Sequence, residues 1–129
     1  MAIVGIGTDI VDVARIQKLL DEKPDEFLSR VFTEIEINYC RAKKRPAVHY
    51  AARFAAKEAF MKAIGTGWAK GVGFSQIGII NDDDGAPSLI ITGQALTCMT
   101  DKGANTAHIS ASHTHEYATA TVILESRDK

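Results

Sequence analysis

Arg53-Phe54-Ala55-Ala56-Lys57-Glu58-Ala59-Phe60-Met61-Lys62-Ala63-Ile64-Gly65-Thr66-Gly67 reads as one helix stopped by glycine. Glu58 and Lys62 are four residues apart, so they sit one above the other on its surface. On a wheel of about 100° per residue, Val48, Ala51, Ala52, Ala55, Ala56, Ala59 and Ala63 share one broad face. Alanine there lets another element approach closely. Glu58 and Lys62 fall at one margin of that face, whereas Arg53 and Lys57 lie further round, away from it. Glu58 is therefore expected to be part-buried, where a bound cation would offset the cost of its charge. Magnesium sites are often built from one or two carboxylates plus substrate phosphates. The plainer reading is a surface Glu–Lys pair worth about 0.3–0.5 kcal/mol.

Working outward, Pro46 breaks the chain and this helix runs over about 47–64. Before it, Thr33-Glu34-Ile35-Glu36 is a capping box that opens a helix to about Lys43. A short helix over 25–31 follows Pro24. Asp12 is placed to cap a helix over about 13–20, with Val13, Ile16, Leu19 and Leu20 at helical spacing. Residues 2–11 read as a strand in which Gly5 and Gly7 allow close backbone approach. Asp9 falls near its end, placed to project into a cleft; the plainer reading is a loop cap or turn residue. Downstream, strands are expected over 76–81 and 88–92, with Asp84-Gly85 as a hairpin signal. A helix over 93–102 and two strands over 106–112 and 117–125 complete the chain, the last two joined by Thr114-His115-Glu116. The sum is α+β, an antiparallel sheet packed on a long central helix, in a single domain over 1–129.

The bulk composition excludes several classes. The chain has 129 residues, 46% of them hydrophobic and 24% charged, with a net charge of −1. Bulk attraction to nucleic acid or to an anionic membrane is not expected. No signal-peptide pattern and no apolar run of about 20 residues is present. Cys40 and Cys98 lack neighbours at metal-ligand spacing and read as free thiols in a reducing compartment. The expected location is the cytoplasm.

Three segments together resemble holo-acyl carrier protein synthase, the one-domain bacterial type of 4′-phosphopantetheinyl transferase. They are Gly5-Ile6-Gly7-Thr8-Asp9-Ile10, the central Arg53–Gly67 helix with its Lys57-Glu58-Ala59 and Lys62, and Ser110-Ala111-Ser112-His113-Thr114. They occur in the family's order and span nearly the whole chain. Position 54 is Phe where the wider superfamily often has Trp.

The resemblance implies transfer of the 4′-phosphopantetheine arm of coenzyme A to a serine of apo-acyl carrier protein, for fatty acid biosynthesis. Adenosine 3′,5′-bisphosphate is the leaving product, and Mg²⁺ is required. It implies Asp9 and Glu58 as metal ligands, Lys62 beside the reacting phosphate, and Lys44, Arg45 and Arg53 near the nucleotide phosphates. Gly65 and His113 join the coenzyme A site. Glu58, acting through a water on the metal, ranks first as the base for the serine proton, and Asp9 second. Arg15 is the candidate contact for the acidic carrier protein. The family's one-domain members are homotrimers with coenzyme A at subunit interfaces, to which Gly65–Gly73 and the central hairpin are candidate contributors.

The chemistry is consistent with those roles, because phosphoryl-type transfer asks mainly for alignment and charge neutralisation. Three rivals stand beside it: a nucleotide- or coenzyme A-binding sensor, a metal-dependent phosphohydrolase, and a structural oligomer using the alanine face. Glu58 and Lys62 argue against the first. The small number of carboxylate and histidine ligands argues against the second. The third leaves Asp9, Glu58 and Lys62 unexplained.

Overall fold

A computed structural model describes residues 1–65 and 71–128. In chain order it comprises β1 (Ala2–Asp12), α1 (Val13–Glu22), α2 (Pro24–Val31), α3 (Glu34–Arg41), α4 (Pro46–Ile64), β2 (Ile77–Asn81), β3 (Pro87–Ile91), α5 (Gly93–Asp101), β4 (Thr106–His113) and β5 (Tyr117–Ser126). A short 3-10 turn, Phe74–Gln76, precedes β2. The expected stop at Gly67, and most of the Gly65–Gly73 stretch, lie outside the described residues.

Three strands form an antiparallel sheet in the order β1-β5-β4. β2 and β3 form a separate antiparallel hairpin. Along β5 every second residue (Ala118, Ala120, Val122 and Leu124) is buried, the period-2 pattern of a strand with one covered face. The cover is α4. Gly5 and Gly7 make the contact possible: a Cβ at Gly7 would collide with the Ala59 carbonyl oxygen, and one at Gly5 with that of Ala63. Backbone thus lies on backbone where the glycines of β1 meet the alanines of α4, as the sequence anticipates for both.

α4 is buried far beyond its alanine face. Arg53 is only 5% exposed and Lys57 is fully buried, although the wheel places both away from the sheet. The reason is a second layer, since α3 and the β2–β3 hairpin cover that side. Gly65 ends the helix in the left-handed region at φ 78°, which glycine adopts without a Cβ penalty. Its N–H donates to the carbonyls of Met61 and Lys62.

The Thr33 capping box forms as expected, with Glu36 N–H donating to Thr33 Oγ1 and Thr33 N–H donating to Glu36 Oε1. α3 ends at Arg41, two residues short of Lys43. Asp12 occupies the N-cap position of α1 but makes no side-chain capping bond. In the β2–β3 turn, Asp82 Oδ1 accepts from the N–H groups of Asp84 and Ala86, and Gly85 has φ 87°. Cys40 and Cys98 are free and buried.

Candidate active site

The odd-numbered residues Gly7 and Val11 of β1 turn toward α4 and are buried. Asp9 shares their side of the strand by the two-residue period. Its carboxylate meets Lys62, whose Nζ donates to Asp9 Oδ1 at 2.8 Å and to the Thr8 carbonyl at 3.0 Å. Glu58 stands one helical turn before Lys62 and is half-buried. Burial, and then the Asp9 carboxylate, push the Glu58 carboxyl above its usual range, while Lys62 and Arg15 pull it back. The structure therefore brings Asp9, Glu58 and Lys62 together.

Two neighbouring carboxylates, one of them disfavoured as an anion, form a donor set that a hard divalent cation relieves. Among the described residues no group of three or more His, Cys, Asp or Glu side chains converges. A closed protein cage is thus not on offer. A two-carboxylate set is nevertheless what Mg²⁺ uses when substrate phosphates and water complete its shell. The residues fit that ion.

Beside Glu58 opens a cavity of about 350 Å³, lined by Arg15, Lys23, Phe27, Arg30, Phe54 and Glu58 among others. Its floor is aromatic and its rim carries three cations. The Arg15 guanidinium lies 5.7 Å from the centre of the Phe54 ring, a cation–π distance.

The remaining candidates gather on another side of α4. A cleft of about 270 Å³ is lined by Tyr39, His49, Arg53, Asn81 and His113. A second cavity, of about 400 Å³, shares His49 and His113 with it and adds Lys44, Arg45 and His115. Arg53 stacks on Tyr39 at 4.1 Å, and Lys43 lies 4.4 Å from the centre of that ring. One Arg53 terminal N–H donates to Asn81 Oδ1, while its buried Nε has no hydrogen-bond partner among the described residues. Arg45 is hydrogen-bonded to His115. The rings of His49 and His113 meet edge to face at 5.5 Å. Burial, and then the charges of His113, Arg53 and Lys43, hold His49 below the ordinary histidine value. This side is positive throughout and suits an anionic ligand.

His49, Arg53 and Lys57 follow one stripe of α4 at spacing four, as do Phe54, Glu58 and Lys62. At about 100° per residue the two stripes lie about 140° apart. The cavity containing Glu58 shares no lining residue with the two cationic ones. The candidates thus form two groups within one chain. Sequence reading passed over Tyr39, His49 and Asn81, and met His115 only as part of the polar tract after β4. Of the three passed over, only His49 carried a signal, as the residue one helical turn before Arg53.

Residues 5–122 match the family described as the 4′-phosphopantetheinyl transferase superfamily, and the chain belongs to that family. A protein of Trichlorobacter lovleyi named holo-[acyl-carrier-protein] synthase is 47% identical over 123 residues, covering 95% of this chain and 98% of its own. The crystal structure of a holo-(acyl-carrier-protein) synthase from Bacillus anthracis in complex with coenzyme A (3′,5′-ADP) is 43% identical. It superposes with a TM-score of 0.80 over 97% of this chain and 98% of its own. The Helicobacter pylori holo-[acyl-carrier-protein] synthase in complex with coenzyme A is 32% identical, with a TM-score of 0.81 over 93% and 99% of the two chains.

Proposed function

We propose that this chain is a holo-acyl carrier protein synthase, transferring 4′-phosphopantetheine from coenzyme A to a serine of apo-acyl carrier protein. The observation that carries this reading is the convergence of Asp9, Glu58 and Lys62 at the seam of β1 and α4 in a chain of this family. The serine oxygen forms a bond to the phosphorus bearing the pantetheine arm. The bond from that phosphorus to the bridging oxygen breaks, and adenosine 3′,5′-bisphosphate leaves with the electron pair. Glu58 is the group we assign to take the serine proton, with Asp9 second. Glu58 lines the open cavity, whereas the Asp9 carboxylate is paired with Lys62.

Asp9 and Glu58 would hold Mg²⁺, which supplies charge neutralisation on the pyrophosphate when bound. Lys62 is half-exposed and tied to Asp9. Its ammonium can exchange that partner for a phosphate oxygen as a mobile point charge. Arg53, Lys44 and Arg45 receive the nucleotide phosphates, with His113 beside them and Gly65 at the end of α4. Arg15 meets the acidic carrier, supported by Lys23 and Arg30 on the same rim.

The division of the site into two groups supports a homotrimer in which the cationic cleft of one copy faces the carboxylates of the next. An exposed apolar strip supports self-association as well: Ile3, Ile6 and Ile10 of β1 are each more than 60% exposed. The catalytic unit is one domain around a single buried core. No helix among the described residues is long and apolar enough to cross a membrane. We place the protein in the cytoplasm, in fatty acid biosynthesis.

The test is incubation with apo-acyl carrier protein, coenzyme A and Mg²⁺, read by mass spectrometry. A phosphopantetheine mass gain on the carrier is expected. A folded enzyme that modifies none of several carrier proteins, yet still binds coenzyme A, would overturn transfer in favour of a sensor.

A further inference from the structure

Lys57 and Glu36 are both fully buried, and they pair at 2.9 Å. Neither touches the carboxylate group or lines the cationic clefts described above. A buried ion pair is costly unless its remaining hydrogen-bonding capacity is met, and here it is met by backbone groups of β2, of the 3-10 turn before it and of the α3 cap. Lys57 Nζ donates to the carbonyls of Phe74 at 3.0 Å and Ile77 at 2.7 Å. With Glu36, these use all three ammonium protons. Glu36 Oε2 accepts from Ile79 N–H at 2.9 Å, while Oε1 accepts from Thr33 N–H at 2.8 Å. The pair thus serves as an artificial partner strand, satisfying backbone groups of Ile77 and Ile79 and stitching β2 to α3 and α4.

β2 ends at Asn81, whose Oδ1 accepts from Arg53 while its Nδ2 donates to the Gly85 carbonyl at 2.9 Å. Arg53 lies one turn before Lys57 on α4. The helix therefore holds β2 at both ends, through Lys57 at the start and through Arg53–Asn81 at the finish. The grip at the start fixes the geometry of the grip at the finish.

We propose that Glu36 and Lys57 are positioning residues for anion binding. By fixing β2 they place Asn81, and Asn81 orients the Arg53 guanidinium in the cleft it shares with His49 and His113. This rests on the reading of that cleft as the coenzyme A nucleotide site. The charged pair adds directional bonds to the register that the buried Ile77 and Ile79 already favour.

The experiment compares wild type with the Lys57→Met/Glu36→Leu double variant and with Asn81→Ala. The double variant leaves no unpaired buried charge. Coenzyme A affinity is read by calorimetry, and KM and kcat by transfer assay. The double variant is expected to raise the coenzyme A Kd and KM by at least about tenfold, with kcat per active subunit within about threefold of wild type. Asn81→Ala is expected to raise KM similarly, and the triple variant to add little, because all three changes act through one chain of contacts. A folded double variant that binds coenzyme A like wild type overturns the proposal. So does one that loses kcat while keeping KM, the mark of a purely structural role. If the double variant does not fold, Asn81→Ala decides, since it leaves the pair whole and an unchanged KM there overturns the proposal. A wild-type protein that fails to bind coenzyme A overturns the reading of the cleft itself, and this inference with it.

Discussion

The Lys62 ammonium lies 2.8 Å from the Asp9 carboxylate, joining residues 53 positions apart in sequence across the seam of β1 and α4. The lysine side chain is 55% exposed and the aspartate 16%. An ion pair so open to solvent contributes about 1 kcal/mol or less to stability. Its worth lies in placing a cation beside two carboxylates.

That arrangement separates catalysis from folding. Glu58→Gln and Asp9→Asn are each expected to lower kcat by about 10²–10³-fold, with thermal midpoints near wild type. Chelation should stop transfer and Mg²⁺ should restore it, with Asp9→Asn requiring more metal. Arg53→Ala is expected instead to raise the coenzyme A KM. Steady-state kinetics with metal titration checks the kinetic outcomes, and thermal melts check the midpoints. Turnover in Glu58→Gln comparable to wild type would remove the metal role.

His49 is expected to make coenzyme A binding sensitive to pH. The groups facing it are Tyr39 from α3, Lys43, Arg53 from its own helix, and His113 from β4. Burial and the surrounding positive charge depress it, so the free protein carries it neutral near pH 7. A bound polyanion favours its protonated form, and binding takes up a proton. Coenzyme A affinity is therefore expected to rise as pH falls below the ordinary histidine value, with His49→Phe flattening the slope. Folding responds with the opposite sign. A depressed histidine contributes stability that is present above its unfolded value and lost as pH falls through the folded one. Calorimetry in buffers of different ionisation enthalpy measures the proton uptake directly.

Gly7→Ala tests the backbone seam. The new methyl group would collide with the Ala59 carbonyl, which belongs to a rigid helix and has no rotamer to escape into. The expected cost is about 1–3 kcal/mol, with reduced kcat because Asp9 lies two residues along the same strand. Gly103→Ala, just past α5 at φ 99°, is the contrast. No atom obstructs a Cβ there, so its penalty comes from the positive φ alone and leaves kcat intact. Denaturant melts and kinetics on the same samples separate the two cases.

The exposed face of β1 predicts assembly. Ile6 is 65% exposed and Ile10 63%. The pair Ile6→Glu and Ile10→Lys is expected to give monomers in sedimentation velocity while the fold persists by circular dichroism. Activity should fall with assembly if one copy completes its neighbour's site. A fully active monomer would show that a single chain holds everything transfer needs.

Much of this architecture was legible from local rules. The Thr33 capping box, the glycines of β1, the alanine stripe of α4 and the Asp82–Pro87 turn each carry short-range signals, and each appears where expected. Asp9, Glu58 and Lys62 were legible as a set through the family resemblance, because a strand position and a spacing of four place each of them only locally. The interior of the second layer was not. Nothing near Lys57 distinguishes it from a solvated lysine. Its burial is set by Glu36, 21 residues earlier, and by carbonyls of Phe74 and Ile77, 17 and 20 residues later. Glu36 was visible as a capping residue, but its second oxygen binds Ile79, a task that no capping pattern encodes. Tyr39 and Asn81 gain meaning only once α3 and the hairpin close over Arg53.

The absence of side chains between Gly7 and Ala59 has a mechanical meaning. Asp9 and Glu58 are each only one or two residues from a point where two main chains touch, so the backbone that carries them is held and only their own side-chain torsions remain free. The separation of the two Cα atoms is set by the skeleton, and a substitution along that seam is expected to alter the gauge of the site first.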